Sequence, residues 1–378
     1  MTRGGPVPAG GPVIASGPVT VDVPASSANL GAGFDALALA LDLADIFMVT
    51  RADDLPTGSV EVTVVGEGAD VIPTDGSDRF SEALRRGLAE ARGSGAEEAT
   101  SGWWRVRMHN AIPVGRGLGS SAAATVGGLA AADVLSGGGV ITSERMLELA
   151  AELEGHPDNV AAALHGGFTI AAHVGSPDLV DRRRVRSGKA PSSHARYALA
   201  RFEPPADLLA VLFVPDRMLS TDRMRDVLPE SVPRRDAAHN VARASLAVAA
   251  IAGGFLDLLA AATEDRLHEP YRASVFPEMP RLIAAARGAG ALGACLSGAG
   301  SSILAFADRP GLASDVATAM EREAASAGLT GRAVVVRPRS QGVIGVGSGS
   351  GEPPVTRATR EPPVKGTPRK PPVKGALP

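Results

Sequence analysis

The chain has 378 residues, 44% of them hydrophobic and 21% charged, a composition typical of a globular protein with one or two domains. Its formal net charge of −3 is not that of a protein that binds nucleic acid or anionic membranes over a broad surface, so neither is expected as a partner. The single cysteine, Cys295, excludes an intramolecular disulfide and a cysteine-based zinc site, and it suits a reducing cytoplasm, where we expect the protein to act.

The amino-terminal segment, residues 1–17, is interrupted by glycine and proline, which predicts a disordered lead rather than a signal peptide or a membrane span. Residues 19–23 alternate like a strand and run into the turn PASSANLGAGFD. Asn29 and Asp35 lie in this turn, and taken alone they indicate only turn chemistry, since Asx residues favour turns. Two further strands are predicted, DIFMVTR and SVEVTVVGEG.

A glycine-rich stretch, PVGRGLGSSAAA, follows a predicted helix at 78–91 and a predicted strand that begins at Trp103. The alanines and leucine after the glycines predict a helix beginning at about Ser120 or Ser121. Such an arrangement exposes backbone N–H groups to a phosphate, and a serine hydroxyl there is a suitable oxygen ligand for magnesium. An ordinary helix cap after a flexible loop explains the same residues. The stretch matches neither the P-loop pattern nor the dinucleotide-binding fingerprint.

A second helix is predicted from a cap at Thr142 to Glu154, and His156, Asp158 and Asn159 follow it. Taken alone, Glu154 indicates a solvated helix end, and His156 indicates a capping or core histidine. Their own spacing assigns no chemistry to these residues.

The second half of the chain begins with a buried strand predicted at 208–214. Thr221 and Arg225 are four residues apart and share one face if their segment is helical, and Arg272 follows a proline. Taken alone, such arginines indicate solvated surface residues. Residues 297–301 form a third glycine-containing turn between two apolar runs, a pattern that a plain hairpin also explains.

The remaining predicted elements are a surface loop or hairpin at 178–196, a helical segment at 237–262 that is broken near Gly253 and Gly254, two helices at 280–287 and 313–327, and a closing strand at 333–337. The basic, proline-rich segment at 347–378 predicts an extended, disordered tail, because it contains little to bury. Such a tail is either a flexible appendage or a docking segment.

Four motifs taken together resemble those of a known family. PASSANLGAGFD, PVGRGLGSSAAA, EGHPDN and SGAGSS occur in this order and resemble the motifs of the homoserine kinases, within the GHMP small-molecule kinase superfamily, over about Val19 to Val346. The resemblance implies two α+β domains with the site in the cleft between them. The N-terminal, ATP-binding domain (18–205) would contain a left-handed βαβ crossover, an exception to the usual hand, and the C-terminal domain (206–346) would be ferredoxin-like. A homodimer is usual for this family.

The resemblance also implies roles for individual residues. The residues of the central motif would wrap the phosphates of ATP, with backbone amides doing most of the binding: Pro113, Val114, Gly115, Arg116, Gly117, Leu118, Gly119, Ser120, Ser121, Ala122 and Ala123. Ser121 and Glu154 would ligate Mg²⁺, which accepts a hydroxyl and a carboxylate completed by phosphate and water. The positions that would hold L-homoserine are Asn29, Asp35, His156, Thr221, Arg225 and Arg272. The residues implied at the reacting centre are His156, Asp158, Asn159 and Arg225.

The implied reaction is phosphoryl transfer from ATP to the side-chain hydroxyl of L-homoserine, giving O-phospho-L-homoserine on the path to threonine. The substrate is a zwitterion, whose carboxylate suits arginine and whose ammonium suits an acid such as Asp35. With a loose transition state, positioning and charge neutralisation can supply most of the catalysis. We therefore expect His156, Asp158 and Asn159 to orient groups and stabilise charge, and we assign no general base.

Departures from the family pattern leave part of the site open. Ala32 and Ser301 stand where proline is common, and we expect these backbone changes to be tolerated. The segment 77–80 lacks the asparagine often seen near the adenine, which leaves the contacts to the base unassigned.

Two other interpretations remain. A GHMP kinase for another alcohol, such as mevalonate, a sugar or shikimate, fits the amino-acid-like set Asn29, Asp35, Arg225 and Arg272 less well. An inactive relative that only binds a ligand would be expected to have lost the magnesium ligands or the loop glycines, and all of these are present.

Overall fold

The computed structural model describes residues 17–56, 58–93, 103–174 and 197–347. The predicted lead, the predicted loop at 178–196 and the predicted tail lie outside the described residues, apart from Gly17 and Gly347.

Two sheets and the helices around them make up the described chain. The strands are β1 (Val19–Ala28), β2 (Leu37–Arg51), β3 (Val60–Gly66), β4 (Trp104–Asn110), β5 (Phe168–His173), β6 (Tyr197–Phe202), β7 (Leu209–Pro215), β8 (Gly293–Leu296), β9 (Ile303–Ala307), β10 (Gly331–Val336) and β11 (Ile344–Gly347). The α-helices are α1 (Arg79–Arg92), α2 (Ser120–Leu135), α3 (Ser143–Glu154), α4 (Asp158–His165), α5 (Thr221–Asp226), α6 (Arg234–Gly253), α7 (Leu259–Ala262), α8 (Glu269–Arg272), α9 (Met279–Gly288) and α10 (Pro310–Ser326). None of the described helices is long and apolar enough to cross a bilayer.

The first sheet has seven strands in the order β11-β1-β2-β4-β3, with β5 paired to β2 and β6 to β5. Strand β1 is longer than the predicted 19–23, because after an irregularity between Pro24 and Ala25 it continues into the first motif as far as Ala28. Strands β3 and β4 are parallel and are joined through α1, which confirms a βαβ unit in this domain. The left hand of its crossover stays a prediction.

Helix α2 lies between this sheet and α1, and its alanine- and glycine-rich surface is buried on nearly every side. It begins at Ser120, as the sequence predicts, directly after the glycine-rich loop. A helix that is apolar all round belongs in a core, and α2 therefore fixes the position of the loop that precedes it.

The second sheet has the order β10-β7-β9-β8 and is antiparallel throughout. With α9 between β7 and β8 and α10 between β9 and β10, this is the ferredoxin-like arrangement, which confirms the expected fold of the second domain. Strand β7 is buried on both faces: Leu209, Val211 and Phe213 belong to the core beside α9 and α10, and Ala210 and Leu212 to the core shared with the first sheet. Burial on both faces explains its uninterrupted apolar run.

The chain passes between the two sheets more than once. Helices α5 to α8 lie between β7 and α9 in sequence, and they bring the predicted substrate residues of the second half to the first domain. Strand β11 pairs with β1, so the end of the described chain returns to the first sheet, although the sequence-based boundaries group it with residues 206–346. The domain boundaries themselves stay a prediction.

Candidate active site

A cleft of ≈ 480 Å³ is lined by all four motifs and by residues from both halves of the chain. Of the predicted site residues, it is lined by Asn29, Asp35, Val114, Gly115, Arg116, Gly117, Leu118, Gly119, Ser120, Ser121, Ala122, Glu154, His156, Asp158, Asn159, Thr221, Arg225 and Arg272. Two positions of the central motif lie elsewhere: Ala123 is fully buried in α2, and Pro113 lines a separate groove. The structure therefore brings together residues up to 243 positions apart, from Asn29 to Arg272, as the resemblance implies.

The loop before α2 has the geometry of an anion-binding site. Gly115, Gly117 and Gly119 have φ of 66°, 72° and 73°, in the left-handed region that favours glycine. Gly119 is the N-cap of α2 and no side chain caps the helix, so the first-turn N–H groups have no side-chain acceptor. A helix N-terminus of this kind, open to the cleft, attracts phosphate through its N–H groups and its dipole.

The third glycine-containing turn holds this loop in place. Ser297 Oγ donates to the Gly117 carbonyl at 2.7 Å, and the Ser302 N–H donates to the Arg116 carbonyl at 3.0 Å. A Cβ on Gly117 would lie 2.2 Å from the Ser297 carbonyl oxygen, so the two backbones can approach only without a side chain there. The turn joins the antiparallel strands β8 and β9 and is thus also the hairpin that the pattern alone suggests.

The Glu154 side chain lies beside the first turn of α2. It is not a solvated helix end, because the side chain is only 6% exposed. Its Oε1 accepts hydrogen bonds from Ser121 Oγ at 2.9 Å and from Thr125 Oγ1 at 2.7 Å. Arg79 Nε lies 3.4 Å from the same oxygen. The sequence analysis missed Thr125 and Arg79, although Thr125 follows Ser121 by one helical turn, which is a signal that both hydroxyls face the same way.

The donor set at Glu154 fits a hard divalent cation. A carboxylate oxygen and a hydroxyl oxygen 2.9 Å apart are ligands that Mg²⁺ accepts, and Mg²⁺ usually completes its shell with phosphate and water. The described part of the chain holds no group of three or more His, Cys, Asp or Glu side chains that could bind a metal by themselves. A cation here would therefore depend on a bound phosphate for its remaining ligands.

A second polar cluster lies at the start of α4. His156 Nδ1 and Asp158 Oδ1 are 2.8 Å apart, and Asp158 Oδ1 also accepts the Asn159 N–H. Burial lowers the pKa of His156, but the hydrogen bond and the charge of Asp158 outweigh it, so that the pKa is raised overall. Ser26 Oγ donates to Asn159 Oδ1 at 2.9 Å, which ties this cluster to β1. The hydrogen bond to Asp158 therefore fixes the orientation of the His156 ring, which lines the same cleft as the glycine-rich loop.

The loop after β1 presents Asp35 to the cleft. Asn29 supports this loop: its Oδ1 accepts the Asp35 N–H at 3.0 Å, and its Nδ2 donates to the Gly298 carbonyl at 2.9 Å. Asp35 forms an ion pair with Arg225, with Oδ1 and Nη2 3.0 Å apart, and both side chains are 36% exposed. An acid and an arginine, both accessible from the cleft, provide opposite charges for a zwitterion.

Arg272 is not the solvated surface residue that its isolated position indicates, because it is only 1% exposed. Its Nε donates to the Met224 carbonyl at 3.1 Å, and its Nη1 donates to the Gly298 carbonyl at 3.1 Å and to His268 Nδ1 at 3.0 Å. Burial, and next the charge of Arg225, lower the pKa of Arg272 to about 10, so it remains charged at neutral pH. His268, which the sequence analysis did not single out, is fully buried beside it.

The far end of the cleft is mainly apolar. Its wall includes Phe47, Ile72, Pro73, Phe80 and Met108. At the edge of this wall, Asp78 accepts the Ser81 N–H at 3.0 Å and caps α1. Arg79, the next residue, also lines the cleft. Both belong to the segment 77–80, which lacks the asparagine often seen near the adenine in the family. A flat, apolar heterocycle suits such a wall.

The fold and this cleft define the class: a glycine-rich loop before a helix N-terminus in a βαβ-containing domain, with a ferredoxin-like domain on the other side of the cleft, is the arrangement of the GHMP small-molecule kinases. The model of the GHMP kinases N terminal domain matches residues 80–167, and that of the GHMP kinases C terminal domain matches residues 247–326.

Sequence and structure comparisons identify which family of GHMP kinases the chain resembles. The chain is 43% identical to homoserine kinase from Rhodococcus erythropolis, over 77% of this chain and 86% of that protein. It is 41% identical to homoserine kinase from Streptomyces avermitilis, over 76% and 85%. The crystal structure of homoserine kinase from Cytophaga hutchinsonii superimposes with a TM-score of 0.72 at 27% identity, covering 87% of this chain and 97% of that one. The chain therefore belongs to the homoserine kinase family.

Proposed function

We propose that this protein transfers the γ-phosphoryl group of ATP to the side-chain hydroxyl of L-homoserine, giving O-phospho-L-homoserine in threonine biosynthesis. One observation carries the proposal: a phosphate-binding loop and an amino-acid-shaped charge set, Asp35 with Arg225 and Arg272, line the same cleft. Membership of the homoserine kinase family supports the choice of alcohol.

The charge set suits the head group of an α-amino acid. The ammonium of homoserine binds Asp35, and its carboxylate binds Arg225 and Arg272, whose positive charges are close enough that Arg225 lowers the pKa of Arg272. Each new contact replaces part of the Asp35–Arg225 ion pair rather than leaving a charge unpaired. Thr221, one helical turn before Arg225, offers a hydroxyl at the same wall.

The phosphates of ATP bind within residues 113–123, through N–H groups of the glycine-rich loop and of the start of α2, and the base binds the apolar wall. Ser121 and Glu154 hold Mg²⁺, which neutralises phosphate charge when bound. Thr125 then orients Glu154 through its hydrogen bond at 2.7 Å.

Catalysis in this site rests on placement and on charge. The substrate hydroxyl lies between the homoserine head-group residues and the phosphate loop, so that the reacting oxygens approach in line. His156, oriented by Asp158, and Asn159, oriented by Ser26, donate hydrogen bonds to the oxygens that gain charge. Arg225, which also binds the carboxylate, adds positive charge to the reacting centre. A loose transition state requires little early deprotonation, so no general base is assigned.

The decisive experiment measures ADP release with ATP and magnesium across L-homoserine, mevalonate, galactose and shikimate. We expect L-homoserine to give the highest kcat/KM, and phosphorus NMR to identify O-phospho-L-homoserine as the product. If L-homoserine released no more ADP than buffer while another alcohol did, the substrate assignment would be wrong.

A further inference from the structure

His268 is fully buried and bridges two groups that the substrate site depends on. Its Nε2 lies 2.8 Å from the Gly31 carbonyl oxygen, and its Nδ1 lies 3.0 Å from Arg272 Nη1. A carbonyl oxygen only accepts and a guanidinium only donates, so the imidazole carries its proton on Nε2 and a lone pair on Nδ1. Burial lowers the pKa of His268 to about 4, which agrees with a neutral ring.

The two partners of His268 belong to the two segments that carry the charged groups of the amino-acid pocket. Gly31 lies in the loop that presents Asp35, whereas Arg272 ends α8. Phe34 of the same loop stacks on His268 with ring centroids 5.2 Å apart, and the Arg272 guanidinium lies 5.6 Å from the centre of the Phe34 ring. His268 and Phe34 are therefore packed between the loop and the arginine.

The loop needs such external support because its backbone is strained. Asn29, Leu30 and Asp35 all have positive φ, at 67°, 47° and 54°, a region that residues other than glycine seldom occupy. Strained backbone persists only where surrounding contacts fix it. From the second half of the chain, Asn240 donates to the Ala32 carbonyl at 3.2 Å and His268 donates to Gly31.

We infer that His268 is a positioning residue that sets the separation between Asp35 and Arg272, and thereby fits the pocket to the ammonium and carboxylate of one α-amino acid. The inference rests on the proposed function, since it takes the alcohol to be homoserine. His268 acts through Arg272 and through the Gly31 loop and does not touch the substrate itself.

Three substitutions separate the two bonds of His268. His268→Leu removes both and leaves the Gly31 carbonyl and an Arg272 N–H without partners in a buried place. In His268→Asn the side-chain oxygen reaches the position of Nδ1 and keeps an acceptor for Arg272. In His268→Gln the longer amide reaches the position of Nε2 and keeps a donor for Gly31.

The test measures KM for homoserine, KM for ATP, and the inhibition constant of 3-aminopropan-1-ol, which is homoserine without its carboxylate. For His268→Leu we expect KM for homoserine to rise about tenfold or more, because Arg272 loses its fixed orientation. KM for ATP should stay within about twofold, and the inhibition constant of 3-aminopropan-1-ol should rise less than KM for homoserine, since 3-aminopropan-1-ol uses Asp35 but not the arginines. His268→Asn and His268→Gln should each recover part of the loss.

His165→Gln serves as the matched control, because it alters a partly buried histidine outside the cleft and should leave all three constants unchanged. The inference is overturned if His268→Leu leaves KM for homoserine unchanged, or weakens homoserine, ATP and 3-aminopropan-1-ol equally. If His268→Leu shows no cooperative thermal transition, His268→Gln, which also lacks the acceptor for Arg272, is judged by the same criteria. A wild-type protein inactive on homoserine but active on another alcohol contradicts the proposed function instead.

Discussion

At the scale of single residues, the site uses common residue types whose neighbours give them a role. Glu154 ends a helix, yet two hydroxyls donate to one of its oxygens and Arg79 lies beside it. Arg272 follows a proline in a polar segment, yet it is buried with its N–H groups directed at carbonyl oxygens and an imidazole. A group held this firmly loses little entropy when a ligand binds.

Glu154→Gln tests the proposed magnesium ligand. The amide keeps an acceptor for Ser121 and Thr125 but loses the charge that a cation needs, so we expect kcat to fall about 100-fold or more. Homoserine binding, followed by calorimetry, should survive. Glu152→Gln, two residues earlier on the same helix and more exposed, is the control and should retain activity. Unchanged turnover in Glu154→Gln would rule out its role as a metal ligand.

Asp35→Asn tests the proposed ammonium site. Loss of a charged hydrogen-bond partner should lower kcat/KM for homoserine about 10- to 100-fold. Inhibition by 4-hydroxybutyrate, which lacks the ammonium, should not weaken, because the Asp35 charge no longer competes for Arg225. Equal weakening of both ligands would mean that Asp35 only supports the loop.

At the scale of elements, the phosphate loop and the third glycine-containing turn form one unit. Each would be unremarkable alone, as a helix cap and a hairpin, but their backbones pack so closely that Gly117 has no room for a Cβ. The hydrogen bond from Ser297 to the Gly117 carbonyl then directs the loop amides away from this turn. A contact between domains thus shapes a loop that belongs to one of them.

Gly117→Ala tests this packing. Its positive φ costs about 1–2 kcal/mol for any L residue, and the clash with Ser297 adds to that cost and shifts the loop. We expect a lower free energy of unfolding in urea and a higher KM for ATP. Gly254→Ala is the matched control, because Gly254 has a similar φ of 76° but open space around it. The two variants should differ in stability, and only Gly117→Ala should change KM for ATP.

At the scale of the whole molecule, the second domain encloses ionisable groups that the reaction does not use. Glu269 is a partly buried residue whose carboxyl group is directed at the buried strand β8, where Oε1 accepts the Leu296 N–H at 2.7 Å. Burial raises the pKa of Glu269 from 4.5 to about 8. Between pH 4.5 and about 8, the folded protein therefore keeps a proton on Glu269 that the unfolded chain has lost.

This buried carboxyl predicts a pH dependence of stability. Because the folded state binds the extra proton, the contribution of Glu269 to the free energy of unfolding falls as pH rises from 4.5 to about 8. The slope is about 1.4 kcal/mol per pH unit, and above pH 8 the contribution is constant. Glu269→Gln keeps the acceptor for Leu296 and should flatten this slope in urea titrations at pH 5 to 9. Glu230→Gln, at an exposed glutamate, should keep the wild-type slope. An identical slope in Glu269→Gln would contradict a raised pKa.

The sequence by itself determined the pieces of this protein. The start of α2, the end of α3 and the buried strand β7 follow from local rules of helix formation, glycine punctuation and apolar runs, which act over a few residues. The four motifs, in their order, also gave the family and its two-domain fold. Local spacing alone left Asn29 as a turn residue, Glu154 as a helix end and Arg272 as a surface residue.

Only the tertiary structure decided what those three residues contact. Asn29 meets Gly298 across 269 positions, Ser121 meets Glu154 across 33, and Arg272 meets His268 and, through it, the Gly31 loop. His268 and Arg79 could not be found by local spacing, because burial and charge neighbours depend on which distant segments pack together. The spacing of Thr125 from Ser121 indicates a shared helix face, but only the packing shows that Glu154 lies against it. Local pattern specifies helices, strands and turns, whereas the environment of an ionisable group is set by the packing of the whole chain.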